Sequence, residues 1–487
     1  GVQTCALPIS EDAAKRRLQV DWYHAAHDQA AITRDFTKWD DHPDSLQAFT
    51  ESMVRAYDVA TAVPAAPVVV VCNADLQEGE IDPVDARSLS IPKLGPHFAP
   101  QGDMNAVSEA AKLLANAENP VILVDRFARN FDGMALLVKL AETLQAPVID
   151  RRHRLNFPTR HPLNHSARGG AALRDADVVL ALEPVDLFGV TRELLDLPDR
   201  KLVSRVKPNT KVICISTASF LTKTNMQTFQ RYTAADLMIT GDGQSTLPAL
   251  TEAIAREMSG NLRSRADARG QKLRAMPDQL LKVAREEATY GWDANPIATS
   301  RLCMELYDQI KSEDWVLASD VGGLSDWPIR LWDFQKPYQF LGGSGAAGVG
   351  YASPAAVGAA LANKKLGRFT VALAGDGDFL MQPGCIWTAA QQQLPLLMIV
   401  HNNRAYHQEM MHVQRMADQR SRGIDRCHIG CVFTDPTISH AQLAKGFGVY
   451  SEGPVSDPKD LPGAIKRAIA VVKRGEPALI DAVTQSR

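Results

Sequence analysis

Short unbroken apolar runs alternate with longer stretches in which apolar residues recur at helical spacing. In 45–61, Leu46, Phe49, Met53, Tyr57 and Ala60 predict a helix, and PAAPVVVVCN then reads as a turn and a buried strand. The stretch 75–97, rich in Asp, Glu and Pro, predicts a crossing segment. From Phe98 the pattern predicts helix 103–117, strand 121–125, helix 131–145 and strand 147–150. Strands at 178–182, 211–216 and 237–240 follow, and helix 246–258 closes the unit. Residues 258–290 are highly charged and helical in tendency, as in a solvated connector. A third unit from about 293 carries runs at 315–320, 369–375, 395–403 and 477–483. Apolar strands alternating with amphipathic helices predict an α/β fold of doubly wound parallel sheets covered on both faces.

Composition narrows the class only a little. The 487 residues are 45% hydrophobic and 22% charged, which argues against global disorder. Lys and Arg number 53 against 56 Asp and Glu, a net charge of −3 that disfavours a nucleic-acid binder. No apolar run approaches the roughly eighteen residues a membrane span needs, so no membrane partner is expected. Cysteines at 5, 72, 214, 303, 385, 427 and 431 are scattered, as expected of reduced thiols in a cytoplasmic protein. Cys427 and Cys431 are too loosely spaced, without a second pair, to predict a metal site. The opening GVQTCALPIS has no basic leader and no initiating Met, so the first residues stay unplaced and the chain reads as beginning inside a longer protein.

The sharpest chemical signal is VALAGDGDFLMQPGCIWTAAQQQLPLLMIVHNNRAYHQE (371–409). A strand is expected to end at Ala374, with Gly375, Asp376 and Gly377 as the turn. Asp376 and Asn403 lie 27 residues apart, about one strand–helix–strand crossover, which brings both to the carboxyl edge of the sheet. A carboxylate and a carboxamide oxygen are hard ligands suited to magnesium, and amides of a glycine turn suit phosphate. The residues therefore predict a magnesium–diphosphate site. A second Gly-Asp-Gly, 241–243, has no Asn pair at that interval and is expected to be a structural turn.

GDGDF followed by HNN resembles the signature of thiamine-diphosphate-dependent enzymes, and the third unit resembles acetolactate synthase, benzoylformate decarboxylase and the 2-oxoacid decarboxylases. LGGSGAAGVGYASPAAVGAAL (341–361), RHRLNFPTRHPLNH (152–165) and LTKTNMQTFQRY (221–232) carry the likeness outside that motif. The resemblance implies a three-domain architecture with an incomplete first domain. Its parts would be an unplaced segment 1–20, the C-terminal part of a pyrimidine-binding domain at 21–83, a linker 84–97, a Rossmann-like central domain 98–257, a connector 258–292 and a diphosphate-binding domain 293–487. It implies magnesium held by the side chains of Asp376 and Asn403 and the carbonyl of Ala405, and a diphosphate met by the Gly375 turn and the amides of Gly377 and Asp378. Val349 falls where the family wedges an apolar residue under the cofactor, Ala347 where a carbonyl meets its 4′-amino group, and Tyr406 would shape the pocket.

The activity so implied is decarboxylation of a 2-oxo acid, or its ligation to a second carbonyl, through a C2 ylid and an enamine. A 2-hydroxyacyl-CoA lyase, a benzoylformate-type decarboxylase and a non-catalytic assembly or regulatory protein remain alternatives. His407 and His401 flank the metal loop and are candidate proton shuttles. The family's activating Glu has no counterpart here, since Glu11 lies in the unplaced segment, and this too predicts an N-terminally truncated chain. FAD is possible but not favoured, because RFARN follows strand 121–125 where a glycine run would be expected. The family relation implies a homodimer or homotetramer with shared active sites, and the segment 342–350 is expected to be tightly packed.

Overall fold

The computed structural model describes residues 26, 28–196, 201–220, 231–319, 321–343 and 348–486. Three α/β units follow one another. In the first, β1 (Trp39–Asp41) pairs in parallel with β2 (Val68–Val70), joined by α1 (Leu46–Thr61). Ser45 starts α1 by accepting the Ala48 amide at 3.1 Å.

The second unit holds α2 (Met104–Asn116), β3 (Pro120–Val124), α3 (Phe131–Leu144), β4 (Val148–Asp150), β5 (Val178–Leu182), β6 (Lys211–Ser216), β7 (Leu237–Thr240) and α4 (Gly243–Glu257). Its sheet runs β4-β3-β5-β6-β7, all parallel. Every residue of β3 and β5 is buried, which is why these strands read as unbroken apolar runs. The connector is two helices, α5 (Gly260–Leu273) and α6 (Ala275–Ala288).

The third unit contains α7 (Thr299–Ile310), β8 (Trp315–Ser319), α8 (Ala352–Lys364), β9 (Phe369–Gly375), α9 (Asp376–Met381), α10 (Cys385–Gln391), β10 (Leu396–Asn402), α11 (His407–Gln419), β11 (Tyr450–Val455), α12 (Leu461–Val472) and β12 (Ala478–Val483). Its parallel sheet runs β8-β9-β10-β12-β11. The expected α/β architecture with doubly wound parallel sheets is present. Each Leu, Ile or Val of β9 and β10 removed from water contributes about 1.5–3 kcal/mol.

Three local readings change. Gly375 is the last residue of β9, and Asp376 opens a helical turn instead of sitting within a turn. β11 went unpredicted because only its final Val is buried, so it lacks an apolar run. The segment 342–350 is not uniformly packed: Gly342 and Gly350 are buried, whereas Gly343, Gly348 and Val349 are exposed. Residues 1–25 and 221–230 lie outside the described residues, and with them Glu11 and most of 221–232. Among the described residues, no helix is long and apolar enough to cross a membrane.

Candidate functional site

The site grows from the pairing of β9 with β10. Gly375 stands opposite His401, so Asp376 lies one residue beyond that rung and Asn403 two. Both reach a cleft of about 600 Å³ at the carboxyl edge of the sheet, together with Gly375, Gly377, Asp378, Ala405, Tyr406 and His407. Asp376 is 2% exposed. Its Oδ1 accepts the Gly377 amide at 2.8 Å, while its buried Oδ2 has no donor among the described residues. Burial pushes its carboxyl up to about 6, against the opposing pull of the Gly377, Arg404 and Ala405 amides. Such an orphaned anionic oxygen is what a cation ligand looks like before the cation is added.

The two asparagines have different jobs. Asn402 is buried and donates to Asp481 Oδ1 at 2.8 Å. Asn403 lines the cleft, and its Oδ1 accepts the Ala405 amide at 3.0 Å, which shapes the loop that carries the Ala405 carbonyl. Asp376, Asn403 and Ala405 thus share one cleft wall, and their oxygens fit a hard divalent cation.

Tyr406 closes the floor. Its hydroxyl donates to the Gly377 carbonyl at 3.3 Å, and its ring meets Phe433 edge-on at 4.7 Å. A Cβ on Gly377 would lie 2.2 Å from the Tyr406 ring, so this close approach requires glycine. The Asp378 carboxylate turns to the glycine-rich segment, accepting the amides of Gly350 at 2.5 Å and Ala352 at 3.2 Å. It fixes the start of α8 and leaves the backbone of 376–378 at the cleft.

His401 also borders the cleft but is fully enclosed, with Nε2 2.8 Å from the Thr299 hydroxyl. Burial lowers its pKa to about 4, so the ring is neutral at pH 7. His407, at the start of α11, lines the cleft with a buried Nδ1 that has no partner among the described residues. Val349 is 61% exposed on the cleft rim. Ala347 lies outside the described residues. Gly-Asp-Gly 241–243 is helix-capping machinery: Asp242 accepts the Ser245 amide at 2.8 Å and pairs with Arg129, and Glu183 accepts the Gly243 amide at 2.8 Å.

The sequence reading missed the second unit's share of the cleft. Asp150, Arg151, Arg152, His153 and Ser166 of the second unit and Asp326 of the third line the same cleft. The RRHR run directly after a buried strand was the available signal.

Residues 107–250 match the family description "Thiamine pyrophosphate enzyme, central domain", and residues 320–482 match "Thiamine pyrophosphate enzyme, C-terminal TPP binding domain". The chain belongs to the thiamine pyrophosphate enzyme superfamily. It is 25% identical over 451 residues to the "Probable acetolactate synthase large subunit" of Methanocaldococcus jannaschii, covering 89% of this chain and 69% of that protein. It is 25% identical over 407 residues to the sulfoacetaldehyde acetyltransferase of Castellaniella defragrans (78% and 63% covered). It is 22% identical over 463 residues to the benzoylformate decarboxylase of Pseudomonas aeruginosa (94% and 78% covered). The chain therefore spans less than two thirds of the Castellaniella protein and somewhat more of the other two. Among solved structures, benzoylformate decarboxylase from Polynucleobacter necessarius shares the fold at a TM-score of 0.68 and 17% identity, over 93% of this chain and 76% of that one. The thiamine diphosphate-dependent 4-hydroxybenzoylformate decarboxylase of Rhodococcus jostii RHA1 gives 0.67 and 19%, over 95% and 79%.

Proposed function

We propose that this member of the superfamily acts as a thiamine-diphosphate-dependent 2-oxoacid decarboxylase or carboligase of the acetolactate-synthase-like kind, with magnesium as its metal. The observation that carries the reading is the buried, unpartnered Oδ2 of Asp376 in the cleft that Asn403 and Ala405 also line. Asp376 and Asn403 hold magnesium through side-chain oxygens and Ala405 through its carbonyl. The Gly375 turn and the amides of Gly377 and Asp378 face the diphosphate, and Tyr406 fixes that backbone from below. Val349 and Ala347 support the cofactor's rings from the glycine-rich segment. When bound, thiamine diphosphate supplies the electron sink that lets a 2-oxo acid lose carbon dioxide.

His407 lines the cleft and moves a proton there. His401, neutral and held by Thr299, orients the end of β10 and reaches the cleft as a neutral ring. In this reading residues 21–83 are the C-terminal part of a pyrimidine-binding domain, 84–97 a linker, 98–257 the central domain, 258–292 a connector and 293–487 the diphosphate-binding domain. The protein works as a homodimer or homotetramer. Supporting this are the exposed apolar residues Ile32, Phe36, Met53 and Tyr57 on the first unit.

The test is magnesium-dependent binding of thiamine diphosphate by calorimetry, followed by carbon dioxide release from a panel of 2-oxo acids with and without acceptor aldehydes. Binding by the whole protein without any release would overturn the enzymatic reading. Sedimentation of the same protein tests the assembly.

A further inference from the structure

Arg152, on the second unit, lines the same cleft as Asp376 and Asn403, and its backbone is held under constraint. Its φ is +65°, in the left-handed region that L side chains rarely adopt. Asp150 Oδ1 accepts its amide at 2.8 Å. Asp150 is in turn fixed by the amides of Asn156 at 2.8 Å and Phe157 at 3.2 Å, and by Asn156 Nδ2 at 2.8 Å. Among the described residues the guanidinium's ion-pair partner is Asp326, whose Oδ2 lies 3.9 Å from Nη1, beyond hydrogen-bond length, on a side chain 48% exposed. Ser325 and Asp326 also have positive φ, +52° and +57°. Three strained non-glycine residues therefore meet at the seam between the second and third units, where such strain marks functional positions.

Other charged groups near Arg152 have hydrogen-bond or ion-pair partners of their own. Asp378 is engaged by Gly350 and Ala352, Asp150 by the loop amides, and His153 is paired with Asp125. Arg152 and Asp326 also border a second cavity of about 490 Å³, so the pair stands between two open spaces.

The geometry points to Arg152 as the specificity-determining residue that holds an anionic group the substrate keeps through the reaction, with Asp326 as its exchangeable counter-ion. This rests on the 2-oxoacid reading above. A guanidinium on the departing carboxylate would stabilise charge that the transition state loses, and so would slow the reaction. On a group that is retained it gives bidentate affinity and orientation at no such cost. The substrate class is then a 2-oxo acid with a second acidic group at its far end. Asp326 balances the charge of Arg152 and yields it to a ligand, since the two are not hydrogen-bonded.

The inert probes glutarate and butyrate separate binding from turnover. With magnesium and thiamine diphosphate present, calorimetry should show glutarate bound at least tenfold more tightly than butyrate. Arg152→Gln should abolish the preference, Arg152→Lys should retain part of it, and Asp326→Asn should leave it equal or greater. A purely structural ion pair would instead make Arg152→Gln and Asp326→Asn lose binding alike. Glutarate binding no tighter than butyrate, or a preference that survives Arg152→Gln, would overturn the assignment. In turnover, Arg152→Gln should raise KM at least tenfold for 2-oxoglutarate against 2-oxobutyrate. An equal loss for both substrates also overturns it. If no 2-oxo acid is decarboxylated while the glutarate preference and its dependence on Arg152 stand, the catalytic reading fails and the anion site does not.

Discussion

Asn402 gives its side-chain amide to Asp481 at 2.8 Å, and the other oxygen of Asp481 accepts the His440 amide at 3.0 Å. One asparagine of the pair is thereby spent inside the sheet, and its successor faces the cleft. Asn403→Ala should therefore weaken magnesium-dependent thiamine diphosphate binding at least tenfold with little change in the ligand-free melting temperature. Asn402→Ala should do the reverse, costing about 1–3 kcal/mol because a buried carboxylate loses a donor. Calorimetric titration and thermal melts of both variants check the division.

Asp376 is a buried carboxylate without a counter-ion in the ligand-free chain. Asp376→Asn keeps an acceptor for the Gly377 amide and removes the charge. The variant should melt higher than the parent at pH 7.5 without ligand, by roughly 1–3 kcal/mol in stability. It should also lose the melting-temperature gain that magnesium and thiamine diphosphate give the parent. Melting curves with and without both ligands decide it.

Asp150 supplies a pH signature. Burial raises its carboxyl to about 6, despite the Asn156 and Arg152 donors. A raised acid binds its proton more tightly folded than unfolded. Its contribution is fully present below about pH 4 and is lost as pH rises through about 6. Two pH units amount to roughly 3 kcal/mol. Asp150→Asn should flatten the stability profile between pH 4 and 7 relative to the parent, whatever constant offset the lost acceptor adds. Denaturant unfolding at several pH values measures this slope.

Gly377→Ala would place a methyl carbon 2.2 Å from the Tyr406 ring. The ring must move, at about 1–3 kcal/mol, and the loop that carries Ala405 with it. Pairing the change with Tyr406→Ala should cost less than the two single losses combined, because the clashing partner is gone. A double-mutant cycle by urea unfolding, read beside thiamine diphosphate affinity, tests the coupling.

The alternation of strands and helices was legible along the chain, because strands buried on both faces read as apolar runs, as in 120–124 and 396–400. The sequence also determined the interval that carries Asp376 and Asn403 to one sheet edge, since a crossover has a nearly fixed length. β11 stayed hidden because an edge strand with one buried residue has no such pattern. Tertiary structure alone decided that Asn402 is used up by Asp481, 79 positions away, and that His401 sits against Thr299, 102 positions away. The same holds for the Arg152 wall. Periodicity records which face of an element is buried, whereas the seam between two units depends on how separately folded sheets pack. That is where Arg152 meets Asp326 across 174 positions of chain.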